Sequence, residues 1–225
     1  MKEITDIETQ PLRIGTAVDV YLTEGKDTFE KQYVSVTRRN LKNPPTDHTQ
    51  LPNKEYDLVM NICSKVEKQD AFKSLKDHKT QVLLTKKMPE LKNYEGACGL
   101  LDFLCVNGEN AIITDLKTTQ AVNPYRYHYT CLDFSYYNQM AMYSLLVKHN
   151  YPEVKRVECR HLVVEKTGIY KVQVFILDAE RIFLIEDNIE SIIREIDGNK
   201  DWRVANISWD EAIPIGAIQE LNEIL

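Results

Sequence analysis

The chain of 225 residues is 43% hydrophobic with a net charge of −6, a composition that suits one soluble domain with a sizeable core. No stretch approaches the roughly 18 apolar residues of a membrane span, and the opening Met1-Lys2-Glu3-Ile4-Thr5-Asp6 lacks a signal peptide's apolar region. Five scattered cysteines (Cys63, Cys98, Cys105, Cys131, Cys159) without C-x-x-C spacing argue for reduced thiols in the cytoplasm, against a disulfide framework or a zinc site.

In chain order, a short helix is predicted over about Gly15 to Thr23. Asn40 to Asn53, with Pro44, Pro45 and Pro52, reads as an irregular loop. A helix follows from about Glu55 to Lys76, with Leu58, Ile62, Val66 and Phe72 marking its buried side. Strands are predicted near Gln81–Thr85, Cys98–Val106 and Asn110–Lys117, then a helix over about Phe134–Lys148 that stops before Asn150-Tyr151-Pro152. Two further strands, about Arg156–Glu165 and Ile169–Leu177, flank a turn at Lys166-Thr167-Gly168. The last element is an amphipathic helix over Ala179 to Ile196, with Ile182, Leu184, Ile185, Ile189, Ile192 and Ile193 on its apolar side. This order predicts an α/β (α+β) fold: a mixed sheet flanked by helices on both faces.

Charge is distributed unevenly. Residues 31–92 hold 13 basic against 7 acidic side chains, and residues 178–225 hold 4 against 12. The basic block includes Arg38-Arg39 and lysines 65, 68, 73, 76 and 79. Phosphate contacts need local positive charge rather than a basic protein overall. Lysines at helical spacing equally describe a solvated face. The acidic quarter could repel a misplaced polyanion, bind a partner or confer solubility.

The most informative segment is a hairpin. Gly99-Leu100-Leu101-Asp102-Phe103-Leu104-Cys105-Val106 is followed by Asn107-Gly108, a strong turn signal, and then by Asn110-Ala111-Ile112-Ile113-Thr114-Asp115-Leu116-Lys117. A two-residue turn at Asn107-Gly108 would pair Val106 with Glu109 and Asp102 with Ile113. Side chains alternate along a strand, so Asp102, Asp115 and Lys117 would share one face. The two carboxylates would then be diagonal neighbours, roughly 7–8 Å apart. The triplet acid-x-Lys is background here, since it also occurs at Glu24-Lys26, Asp77-Lys79, Glu90-Lys92 and Glu153-Lys155. What sets Asp115-Leu116-Lys117 apart is its place at the end of an apolar strand with a partner acid on the preceding one. Two readings stay open: a divalent-cation site with an ammonium beside it, or a cross-strand ion pair on a solvated face.

Gly-x-Leu-Asp-Phe, then Ile-Ile-Thr-Asp-Leu-Lys-Thr-Thr, then Tyr-Tyr-Asn-Gln-Met-Ala-Met-Tyr resembles the core of the PD-(D/E)XK nuclease superfamily. The RecB-like branch is the nearer match, and within it exonucleases of the exonuclease VIII (RecE) type. That branch carries Gln-x-x-x-Tyr on the next helix, here Gln139 and Tyr143, one helical turn apart. The upstream Ile14-Gly15-Thr16-Ala17-Val18-Asp19 is similar to the branch's first-helix segment, with Asp19 where His is usual. Asp binds a hard cation as readily as His does.

The resemblance implies a restriction-endonuclease-like core over about residues 14–177 of a single domain, 1–225, with an acidic helical extension from about 178. It implies a metal-dependent exonuclease acting on linear double-stranded DNA ends, 5′ to 3′, in phage-type recombination or repair. DNA is then the partner, with a single-strand annealing recombinase, homo-oligomerisation and a bacterial host's cytoplasm also implied. Asp102 and Asp115 would hold Mg²⁺ or Mn²⁺, with the Leu116 carbonyl and Asp19 as further ligands. Lys117 would orient the attacking water, or act as base if burial depresses its pKa. Gln139 would hydrogen-bond the nucleophile or a phosphate, and Tyr143 would brace the DNA backbone or Lys117. No iron–sulfur cluster is expected, because no Cys follows Cys159. Thr118 and Thr119, like Arg38 and Arg39, are candidate phosphate contacts. The linker Asn123-Pro124-Tyr125-Arg126-Tyr127-His128-Tyr129 could stack on an unpaired base through Tyr125 and Arg126, or simply pack as a surface loop. An endonuclease or repair nuclease of the same fold, or an inactive DNA-binding or interaction protein on this scaffold, are the alternatives.

Overall fold

The apolar residues sort into two cores, one on each face of a central sheet. The computed structural model describes residues 9–36 and 49–198. These form α1 (Gln10–Thr23), α2 (Lys26–Gln32), β1 (Tyr33–Val36), β2 (Thr49–Pro52), α3 (Asn53–Val66), α4 (Asp70–Lys73), β3 (Lys79–Lys87), β4 (Gly96–Asn107), β5 (Asn110–Thr119), α5 (Pro124–Asp133), α6 (Tyr136–Asn150), β6 (Arg156–Glu165), β7 (Val172–Ile176) and α7 (Ala179–Gly198). The main sheet runs β3-β4-β5-β6-β7. Its β5–β6 pair is parallel and the others antiparallel, because α5 and α6 carry the chain across between β5 and β6. Among the described residues no helix is long and apolar enough to cross a membrane.

On one face, Leu104, Ile113 and Val163 pack against Met140, Ala141 and Leu146 of α6, with Ile182, Ile185 and Ile189 of α7 in the same cluster. On the other, Phe103, Leu116, Leu162 and Val164 pack against Ala17 and Val18 of α1 and Val59, Ile62 and Val66 of α3. The expected mixed sheet with helices on both faces is what forms.

The hairpin turns one residue later than the Asn-Gly signal predicts. Asn107 pairs with Asn110 and Leu104 with Ile113, so Gly108 and Glu109 are the turn. Gly108 has φ 55° and takes the first central position, where type II′ turns place glycine. Asp102 is therefore not opposite Ile113. The shift moves pairing by two residues, and an even shift leaves the facing of β5 intact.

Alternation does fail on β4. Leu101 and Leu104 both pack in the α6 cluster while Phe103 packs in the opposite one. The break coincides with Gln81, which has φ 49° and interrupts the β3–β4 pairing opposite Asp102. Gln81 turns its amide to the Thr23 hydroxyl at 2.7 Å, tying β3 to the end of α1.

Other boundaries also differ from the sequence reading. The helix expected over 55–76 is broken into α3 and α4 by turns about Lys68 and Gln69. The end of the expected loop 40–53 pairs in parallel with β1 as β2, and an additional helix, α2, precedes β1. The aromatic linker is helical, α5, because Asn123 caps it by accepting the Arg126 N–H at 3.1 Å and Pro124 suits its first turn. On α7, Leu184 and Ile192 are exposed while Ile182, Ile185 and Ile189 are buried. Near its end Asp197 accepts the backbone N–H groups of Lys92, Asn93 and Tyr94, which fastens α7 to the β3–β4 connection. Arg38, Arg39, Pro44 and Pro45 lie outside the described residues.

Two glycines set how closely helices approach the sheet. A Cβ on Gly15 would lie 3.1 Å from the Thr118 hydroxyl, and one on Gly99 would lie 2.8 Å from the Tyr143 ring. Gly99→Ala is therefore expected to overpack the α6–β4 contact and lower stability by about 1–3 kcal/mol, read as a fall in the urea midpoint at unchanged m-value.

Candidate active site

The pairing of β4 with β5 stops at Phe103 and Thr114, although β4 continues along β3 and β5 continues along β6. The acids sit where the strands part. Asp102 accepts the Leu116 backbone N–H at 2.7 Å, so a carboxylate satisfies a group that the neighbouring strand no longer reaches. Asp115, 2% exposed, lies 2.6 Å from the Lys117 ammonium. Asp19 comes from the other side on α1, one turn after Gly15, whose lack of a side chain lets the helix approach Thr118. Arg13 pins that helix to α3 through two bonds to Glu55, at 2.8 and 2.9 Å.

Gln139 links the charged pair to α6. It accepts from Lys117 at 3.0 Å, donates to the Tyr143 hydroxyl at 2.9 Å and approaches Asp115 at 3.4 Å. Tyr143 thus braces Gln139 rather than Lys117. Its ring fills the space that Gly99 leaves open.

Burial and mutual repulsion dominate the electrostatics. Asp102 is pushed up to about 8, by burial first and then by the charges of Asp115 and Asp19. Asp19 is raised to about 6, by burial first and then by Asp115. Asp115 is raised by burial, with Lys117 opposing. For Lys117 burial acts downward, but Asp115 outweighs it, and the ammonium stays above its ordinary range. With no cation on Asp115, the lysine is therefore raised rather than depressed. The charge of Lys117 is further favoured by the Tyr136 ring, whose centroid is 4.6 Å from Nζ.

A cleft of about 660 Å³ opens beside this cluster, with Asp19, Leu116, Lys117 and Thr118 in its wall. Of the expected nucleic-acid contacts, Thr118 lines the cleft; Thr119 bonds the Ala121 carbonyl at 3.5 Å, and Tyr125 and Arg126 stand outside the cleft wall. Tyr125 is exposed with its hydroxyl against that of Tyr129, while Tyr127 is buried and stacked on Phe175.

The sequence reading missed four residues here: Phe134, Tyr136 and Lys166, which line the cleft, and His161. His161 lies beside Asp115 on β6, bonded to the Tyr127 hydroxyl at 2.9 Å, and is held neutral, lowered to about 3 by burial and then by Lys117. A His directly before the apolar Leu162-Val163-Val164 was the available signal, but its neighbour depends on the parallel crossover.

The donor set fits a hard divalent cation. The three carboxylates are oxygen donors, and Asp19 Oδ1 is buried with no hydrogen-bond partner among the described residues. The cage is not ready-made. Among the described residues no three Asp, Glu, His or Cys side chains converge on one point, since Asp102 is engaged by Leu116 and Asp115 by Lys117.

Raised carboxyl pKa values have a definite sign in stability. Asp102 keeps its proton in the folded state up to about pH 8, whereas the unfolded chain loses it near 3.8. Between those values the folded state binds more protons, so stability in EDTA is expected to fall as pH rises from about 4 to about 8. Asp102→Asn should flatten that decline in thermal melts across this range.

A family model described as a PDDEXK-like domain of unknown function (DUF3799) matches residues 1–203. Among solved structures, a provisionally named exonuclease from Eubacterium rectale superposes with TM-score 0.57 at 15% identity, over 95% of this chain and 80% of that one, a likeness of fold. A second, SSO0001, reaches TM-score 0.31 at 14% identity over 79% of this chain and 82% of that one, too low to bear on the fold. No curated protein matches the sequence. With its mixed sheet, its helices on both faces and its acids and lysine at the parting of two strands, the chain belongs to the PDDEXK-like family DUF3799, and so to the PD-(D/E)XK nuclease superfamily, on a restriction-endonuclease-like fold.

Proposed function

We propose that this protein is a divalent-metal-dependent deoxyribonuclease that degrades linear double-stranded DNA from its ends. The observation that carries the reading is the cluster of Asp19, Asp102 and Asp115 around one ammonium, Lys117, beside an open cleft. With one ammonium beside three acids, Asp115 buried and Asp19 and Asp102 half-buried, the site is short of positive charge once all three ionise. Asp19, Asp102, Asp115 and the Leu116 carbonyl would hold Mg²⁺ or Mn²⁺. Such an ion, when bound, supplies Lewis acidity, neutralising charge that builds on the phosphate and making water a better nucleophile at neutral pH.

The chain's own residues do the rest. Lys117, held protonated by Asp115, donates hydrogen bonds and so orients the attacking water or a phosphate oxygen rather than removing a proton. Gln139 fixes the Lys117 side chain and, through Tyr143, is itself held by α6. Thr118 offers a hydroxyl to the DNA backbone on the cleft side.

Action at ends is supported by the fold shared with the Eubacterium rectale protein and by the resemblance to exonuclease VIII-type enzymes. The 5′ to 3′ direction, the role in phage-type recombination, a recombinase partner and an oligomer follow from the resemblance alone. The test is end-labelled linear duplex against covalently closed circular duplex, each in Mg²⁺, Mn²⁺ and EDTA. Metal-dependent loss of the linear form alone is expected, and the label position reads the polarity. Lys117→Ala should slow cleavage on the order of 10²–10⁴-fold, and Asp115→Asn should abolish it by removing a ligand. Cutting of the circle would make the protein an endonuclease. Retarded but intact DNA in every metal would leave a binding protein.

A further inference from the structure

The cleft holds a wall that the chemistry of phosphodiester hydrolysis does not use. Phe134 is 67% exposed, yet it is stacked on Tyr136 with ring centroids 5.8 Å apart and planes 23° from parallel. Tyr136 in turn lies under the Lys117 ammonium and edge-on to buried His161, so its ring is fixed from two sides. Both rings line the cleft with Asp19 and Lys117.

Between them stands Ser135, with φ 54° and ψ 35°, in the left-handed region that a serine seldom occupies. It forms the junction of α5 and α6 and lets successive helices present Phe134 and Tyr136 to the same opening. Strain of this kind persists only where surrounding structure holds it. The rest of the Phe134 ring stands exposed at the mouth of the cleft.

The same cleft also has cationic and hydroxylic lining. Lys166 is half-buried, with Nζ 3.4 Å from the Pro11 carbonyl, and among the described residues no carboxylate pairs with it. Thr118 lines the cleft as well, and so does Thr16, whose hydroxyl donates to the Leu12 carbonyl at 3.1 Å. A cleft of about 660 Å³ lies in the range that takes one small ligand of nucleotide size.

We infer that this cleft receives one unpaired nucleotide, its base stacked on the Phe134–Tyr136 platform and its phosphate held by Lys166 with the Thr118 hydroxyl. The inference rests on the nuclease reading for the identity of the ligand as DNA. It adds a substrate feature: an end with an unpaired terminal nucleotide is bound in preference to a fully paired one, because a paired base cannot present its face to the rings.

The test uses duplexes whose terminal nucleotide is unpaired 2-aminopurine, at the 5′ or the 3′ end. Binding is read by fluorescence with full-length protein carrying Asp115→Asn, so that no cutting intervenes, and cleavage of the same ends is read with Asp115 intact in Mn²⁺. Wild-type platform residues should quench the fluorescence. Phe134→Ala should lose the quench and raise KM for unpaired ends roughly 5- to 150-fold with kcat little changed. Phe134→Trp should restore both. Lys166→Gln should weaken binding while keeping the quench at saturation, and should reduce the salt dependence by about one phosphate contact. Unchanged quench and KM in Phe134→Ala would overturn the platform, and the nuclease reading would still stand if Asp115→Asn abolishes cleavage. A Phe134-dependent quench without cleavage in any metal would instead support the nucleotide pocket and sink the nuclease reading.

Discussion

The arrangement depends on two neighbouring strands ceasing to pair. Where β4 and β5 separate past Phe103 and Thr114, backbone groups of β5 lose the partner an unbroken ladder would provide. A buried amide without a partner is costly, and the Asp102 carboxylate answers the one on Leu116. The same opening admits Asp19 from α1 and brings it close enough to interact with Asp102 and Asp115, whose burial alone would keep them from ionising readily. Structural need and chemical use meet in one feature. A carboxylate that repairs the ladder is also one that a cation can recruit.

The surrounding packing serves to keep that opening in register. Gly15 and Gly99 allow α1 and α6 to come within van der Waals distance of the sheet from opposite faces. Arg13–Glu55 and Gln81–Thr23 fix α1 at both ends, the first against α3 and the second against β3. On the other side Gln139 and Tyr143 carry the rigidity of α6 to Lys117. Each charged group is therefore set by an element whose position is decided elsewhere by apolar burial. This is how a site can hold like charges together at a small fraction of the stability of the whole domain.

Charge balance also accounts for the behaviour of the lysine. A desolvated ammonium loses its proton easily when alone. Here Asp115 beside it and the Tyr136 face above it favour the cation. A positively charged Lys117 suits orientation of an anion or a water, and it adds to burial, the larger cause, in keeping His161 neutral.

The sequence by itself determined the periods: alternating and continuous apolar strands, helices at three-to-four spacing, and a turn marked by Gly108. Those local properties were enough to locate the sheet, the helices on both faces and the pair Asp115 and Lys117, which a period of two places on one side of β5 whatever the turn does. They placed Gln139 and Tyr143 on one helix face for the same reason. The turn's actual residues, the break in alternation at Asp102 and the left-handed Gln81 were decided by tertiary structure, because each depends on what packs across the strand. The aromatic linker became α5 through the cap supplied by Asn123, and its Tyr125 and Arg126 went outward while Phe134 and Tyr136 took the cleft. Only the parallel crossover puts His161 beside Asp115, and only the close approach of α1 brings Asp19 to them. These pairs are separated by tens to nearly a hundred residues along the chain. Their meeting is fixed by which apolar faces bury against one another, a property that no local spacing contains.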